Sequence, residues 1–125
     1  MQLPEEDEEY LGQKGYVWEL VPDGNGGCLI LKQYRLAIGK YDVESVDLMI
    51  RLPDGYNNSK LDMFYVDPPV KLKATGDYPD RARDFVQAAG RKWQQFSRHV
   101  AKWRPGVDRL CNYMPLVNKE LQTGP

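Results

Sequence analysis

Apolar and polar residues alternate most plainly over Val46–Leu52. Val46, Leu48, Ile50 and Leu52 fall on one side and Asp47, Met49 and Arg51 on the other. This period of two marks a strand with one buried face and one face at least partly wet. Upstream, the runs Tyr16–Val21 (YVWELV) and Cys28–Leu36 (CLILKQYRL) flank Pro22-Asp23-Gly24-Asn25-Gly26-Gly27. That segment is dense in turn formers, so the two runs predict the arms of a hairpin. Downstream, Leu61–Val66 (LDMFYV) predicts a fourth strand. Pro68-Pro69 ends it, because proline has no N–H for the ladder.

The second half is less regular. Asp80–Ala89 has the length of a short helix but weak periodicity, and Gly90–Gly106 (GRKWQQFSRHVAKWRPG) takes no single secondary structure from its pattern. After Val107, apolar residues recur at Leu110, Cys111, Met114, Val117 and Leu121, at offsets of 3, 4, 7, 10 and 14. This predicts an amphipathic helix with Cys111 on its buried stripe. Pro115 removes one hydrogen bond and crowds the Cys111 carbonyl, so a kink is expected there. At the other end, residues 1–14 carry Glu5, Glu6, Asp7, Glu8 and Glu9. They read as a solvated acidic arm, with a contact to a basic partner as the alternative. The expected fold class is α+β: an antiparallel four-stranded meander with the C-terminal helix on its apolar face. Residues 1–14 form the arm and 15–122 the domain.

Composition narrows the function. At 125 residues, 42% hydrophobic and 28% charged, the chain is long enough for one real core and too short for two. Its formal net charge of −1 gives no bulk attraction to nucleic acid. No apolar run approaches the ~20 residues of a membrane span, and the N-terminus is acidic where a signal peptide is basic then apolar. Two cysteines, Cys28 and Cys111, fit a reducing compartment, so a cytoplasmic location is expected. With one histidine and no CxxC, no metal site is expected. P-loop and dinucleotide-binding fingerprints are missing, and the glycines at Gly24–Gly27 belong to the hairpin turn.

Chemistry concentrates in Gly90–Gly106, which holds Trp93, Trp103, Ser97 and the single histidine, His99. Serine beside histidine is the minimal pairing for moving an acyl group. The same serine bonded to backbone in a loop, and the same histidine on the surface, are the plain alternatives. Trp93 and Trp103, with Phe96 between them, are expected to close one edge of the core. Arg91, Lys92, Arg98, Lys102, Arg104 and Arg109 surround them, as a solvated rim or as a docking face for an acidic partner.

Four segments, in order, carry a resemblance: Ile50–Tyr56 (IRLPDGY), Asp62–Pro69 (DMFYVDPP), Gly90–His99 (GRKWQQFSRH) and Trp103–Leu110 (WRPGVDRL). Together they resemble the bacterial ubiquitin-conjugating-enzyme-like family, the prokaryotic carrier proteins found beside multi-ubiquitin-domain proteins. The similarity covers most of residues 3–121. That family's general fold runs from a strand ending in a proline-tyrosine turn, through a strand entering a proline pair, to an active-site loop. A tryptophan-x-proline then leads into a helix. The resemblance implies this fold with both terminal helices shortened, and a transferase role in ubiquitin-like protein conjugation. It also implies two partners, a ubiquitin-activating-like enzyme that spends ATP and a ubiquitin-like modifier, and no cofactor held by this chain.

The departures are specific. No cysteine lies between Tyr56 and Trp103, where a carrier enzyme keeps its thioester-forming residue, and the histidine-proline-asparagine motif is absent. The nucleophile segment falls on Gln94–His99, where Ser97 is the one residue with a hydroxyl or thiol. Two mechanisms follow from the resemblance. Either Ser97 carries the modifier as an oxyester, with His99 as base or orienter and Arg91, Arg98 or backbone N–H groups holding the oxyanion. Or the domain is a non-catalytic adaptor that binds the activating enzyme or the modifier, with Arg98 and Arg104 at the contact.

Overall fold

The computed structural model describes residues 1–124. The glycine-rich turn makes the expected hairpin of β1 (Trp18–Asp23) and β2 (Gly26–Arg35), paired from Trp18↔Leu31 to Asp23↔Gly26. Gly26 is required there. A Cβ on it would lie 2.2 Å from the Leu52 carbonyl oxygen of β3 (Ser45–Leu52). β2 carries a bulge between Leu31 and Tyr34, where Gln33 takes φ 51° and donates its N–H to Asp47 Oδ1 at 3.1 Å. The extra residue lets Leu31 and Tyr34, three apart, point into the same core.

Six strands form the sheet, where the sequence pattern predicts four. The additions are β5 (Asp84–Ala88) and β6 (Arg91–Phe96), which follow β4 (Phe64–Asp67). The order is β1-β2-β3-β4-β6-β5, and every pair is antiparallel. The helix expected over Asp80–Ala89 is therefore replaced by β5. Its hairpin with β6 turns through Ala89 (φ 49°) and Gly90 (φ 74°), two left-handed residues in a row, the combination a two-residue turn of matching twist needs.

One face of the sheet, with Leu29, Leu31, Leu48, Ile50, Phe64, Val66 and Phe96, supports the helices α1 (Glu5–Gln13) and α2 (Leu110–Gln122). Residues expected as an acidic arm are thus largely helical. Leu3, Asp7 and Leu11 turn inward while Glu5, Glu6, Glu8 and Glu9 remain in water. α2 buries Leu110, Tyr113, Met114, Val117 and Leu121. Cys111 is exposed, contrary to its expected place in the core, because it lies ~100° around the helix from Leu110. Val107, which set the phase of the expected stripe, is outside the helix and 57% exposed. α2 continues through Pro115, which is exposed on the same side of the helix as Cys111.

The second face is apolar at its centre, with Cys28, Ile30, Met49, Tyr65 and Trp93 buried. Arginines cover it: Arg51 lies over the Tyr65 ring at 5.3 Å and Arg91 over Trp93 at 4.3 Å. Trp93 therefore belongs to this face, whereas Trp103 packs half-buried against the helix-bearing core. Among the described residues no helix is long and apolar enough to cross a membrane.

Candidate functional site

Antiparallel pairing of β4 with β6 sets Phe64 opposite Phe96, and the two rings stack at 4.8 Å. The chain entering β4 and the chain leaving β6 therefore meet at one end of the sheet. Leu61-Asp62-Met63 lie on one side and Ser97-Arg98-His99 on the other. Gln94 anchors the preceding loop to the strand. Its side chain is fully buried; Nε2 donates to the carbonyls of Val70 and Ala82 at 3.1 and 2.8 Å, and Oε1 accepts the Val70 N–H at 2.7 Å. The Ser97 N–H, just beyond, donates to the Arg81 carbonyl at 3.0 Å.

Ser97 is half-buried, and its Oγ accepts a hydrogen bond from Gln95 Nε2 at 3.3 Å. His99 is exposed and holds Asp62 instead, with Nδ1 3.2 and 3.1 Å from the two carboxylate oxygens. The Val100 N–H donates to the same carboxylate at 3.3 Å, and the Tyr113 hydroxyl of α2 donates to the Asp62 carbonyl at 2.7 Å. Burial raises the Tyr113 pKa, which keeps that hydroxyl a donor. Ser97 and His99 thus share one loop, and the histidine is bonded to a carboxylate rather than to the serine. Asp62 is a member of this candidate site that the sequence pattern does not expose. It lies 37 positions from His99, and only the β4–β6 pairing brings them together.

The cations have partners of their own. Arg91 bridges Asp67 at 3.0 Å and Asp47 at 2.9 Å. Arg98 forms a bidentate pair with Glu120 of α2 and donates to the Ser97 carbonyl at 3.0 Å. Arg104 donates from its Nε and its main-chain N–H to Asp108 at 2.9 and 2.8 Å, and this holds the Asp108 carboxyl below its ordinary pKa. Arg109 lies 3.1 Å from Glu6. In the same stretch, Lys92 rests over the Phe85 ring and Lys102 is exposed without an ion pair among the described residues.

Trp103 fixes the return of the loop toward α2. Its indole N–H donates to the Asn57 carbonyl at 3.0 Å, while Asn57 Nδ2 donates to the Asp108 carbonyl at 2.9 Å. The Leu110 N–H, one of the orphan donors at the start of α2, is taken by the Tyr56 hydroxyl at 2.8 Å. Asp62 also lines a groove of about 500 Å³ with Asp23, Arg51, Lys60, Met63 and Tyr65, open on the second face. Cys111 flanks α2 beside Tyr10 of α1, away from the flank on which Tyr113 and Glu120 meet Asp62 and Arg98. No cluster of three metal-ligating side chains occurs among the described residues.

Neither the curated proteins nor the solved structures give a match to this chain. The profile of prokaryotic E2 family E matches residues 3–124. The span includes both strands that frame Asp62 and Ser97, the Trp103–Pro105 turn and α2. On this match the chain belongs to prokaryotic E2 family E, a family of E2-like carriers in protein conjugation.

Proposed function

We propose that the chain carries the C-terminal carboxyl group of a ubiquitin-like modifier as an oxyester on Ser97. The observation that supports this reading is the His99–Asp62 pair two residues from a half-buried hydroxyl, in a segment that has no cysteine. A serine hydroxyl is a weak nucleophile until a base takes its proton, a gain of ~10²–10⁴-fold. The donor is a thioester on the activating enzyme. Ser97 Oγ forms the new bond to the acyl carbon, the carbon–sulfur bond breaks, and the serine proton passes through His99 to the leaving sulfur. Transfer onward releases Ser97 Oγ, which recovers a proton. Arg91 and Arg98 are engaged by carboxylates, so the oxyanion falls to backbone donors. The main-chain N–H groups of Arg98 and His99 make no hydrogen bond among the described residues. The reaction belongs in the cytoplasm, where the free thiols Cys28 and Cys111 stay reduced.

One observation favours the adaptor reading instead. Ser97 Oγ is bonded to Gln95 and His99 to Asp62, with no bond between serine and histidine. Catalytic bonds often tighten only once substrate is bound. The two readings separate on mixing the chain with its activating enzyme, ATP and modifier. The oxyester predicts an adduct that survives thiol reductant, is cleaved by hydroxylamine or mild base, and is lost in Ser97→Ala. A stable complex without any adduct establishes the adaptor. An adduct that reductant removes and Cys111→Ala abolishes moves the chemistry to the exposed thiol and ends the serine reading.

A further inference from the structure

Asp62 is held from three directions. Its carboxylate meets His99 Nδ1 and the Val100 N–H, and its carbonyl receives the Tyr113 hydroxyl from α2. Its side chain is 30% exposed, against 59% for His99, so the carboxylate is the better fixed partner of the two. A carboxylate only accepts hydrogen bonds, so the nitrogen facing it carries the proton. In the neutral ring that leaves the lone pair on Nε2, whereas an unrestrained imidazole prefers its proton there. The hydrogen bond to Asp62 therefore selects the tautomer and fixes the ring plane at once.

We infer that Asp62 is the positioning residue of this site: it holds His99 with Nδ1 protonated and Nε2 free to take the Ser97 proton. The inference rests on the reading of Ser97 as the acyl carrier, and nothing in the family match assigns Asp62 a role. Asp62 touches neither the acyl group nor the hydroxyl, and acts through the imidazole alone. In Asp62→Asn, Oδ1 still accepts the Val100 N–H and the main-chain carbonyl still accepts from Tyr113. The amide N–H then takes the Oδ2 position, 3.1 Å from Nδ1, and is expected to make Nδ1 an acceptor and shift the proton to Nε2.

His99 is the single histidine, so its ring nitrogens give one unambiguous set of ¹⁵N resonances. Long-range ¹H–¹⁵N spectra of the full chain at pH 8 are expected to show protonated Nδ1 in the wild type and protonated Nε2 in Asp62→Asn. Single-turnover formation of the Ser97 adduct is expected to slow by about 10²-fold in Asp62→Asn. Half-saturation by the activating enzyme should stay unchanged, and Asp62→Glu should recover part of the rate. A wild-type ring with protonated Nε2, or a tautomer that Asp62→Asn leaves alone, overturns the inference. So does an adduct that forms equally fast in the variant. The spectra decide the positioning even without chemistry: a tautomer switched by Asp62→Asn, with no adduct in either protein, sustains Asp62 and overturns the carrier reading alone.

Discussion

A carboxyl group taken out of water keeps its proton to higher pH than one left in it, and Asp7 is so buried. It is 1% exposed on the inner side of α1, and its Oδ2 has no hydrogen-bond partner. Burial raises its pKa above the ordinary 3.8; the Tyr56 hydroxyl, the Leu110 N–H and the Arg109 charge oppose this, and Glu6 adds to it. The sign of the pH effect follows. Between the unfolded and folded pKa values the native state binds more protons than the unfolded state, so stability falls as pH rises through that window. Asp77 and Asp108 act oppositely, their pKa values being lowered by Arg83 and Arg104. Both are shared with an Asp7→Asn variant and cancel in the comparison. The stability of Asp7→Asn relative to wild type is expected to increase as pH rises from about 3.8 and then level off. Urea midpoints at a series of pH values measure this, and a difference that stays constant with pH contradicts it. The same residue explains why α1 was hidden in the sequence. Asp7 and Leu11 form its inward stripe, with Leu3 buried just ahead of the helix, but the charged member makes the run look like a solvated acidic arm.

At the scale of elements, legibility tracked how regular each local pattern was. The alternation in β3 and the glycine-rich β1–β2 turn were read correctly, because each signal lies within a few residues. β5 was not, since Asp84-Phe85-Val86-Gln87-Ala88 gives no clean alternation and its turn lacks the usual asparagine-glycine pair. Ala89 occupies the left-handed position instead, where its Cβ is strained by roughly 1–2 kcal/mol. Asparagine tolerates that conformation, so Ala89→Asn is expected to stabilise the protein by about 1 kcal/mol. Chemical denaturation checks it, and loss of stability would mean that the Ala89 methyl, beside the second-face cluster, matters more than the backbone. The candidate site was half legible for a related reason. Ser97 and His99 are close in sequence and visible together, whereas Asp62 joins them only through pairing of β4 with β6.

For the whole molecule, the question is whether a chain of net charge −1 has a positive face to offer a partner. The basic stretch from Arg91 to Arg109 suggests one, but four of its six cations are spent inside the fold on Asp47, Asp67, Glu120, Asp108 and Glu6. Charge reversal of Arg98 would break the pair that ties the site loop to α2. A weaker complex in that variant would then report folding as much as contact. Lys102 is the sharper probe, since it is exposed, three residues from His99, and without an ion pair among the described residues. Lys102→Glu is expected to leave stability within about 0.5 kcal/mol of wild type. Association with the activating enzyme should slow several-fold at low salt, the difference shrinking as added salt screens the charges. Arg98→Glu should instead lower the denaturation midpoint. Stopped-flow association rates across a salt series, beside denaturation curves for both variants, test the pair. An association rate indifferent to Lys102→Glu would remove this face from the encounter and leave the arginines as internal braces only.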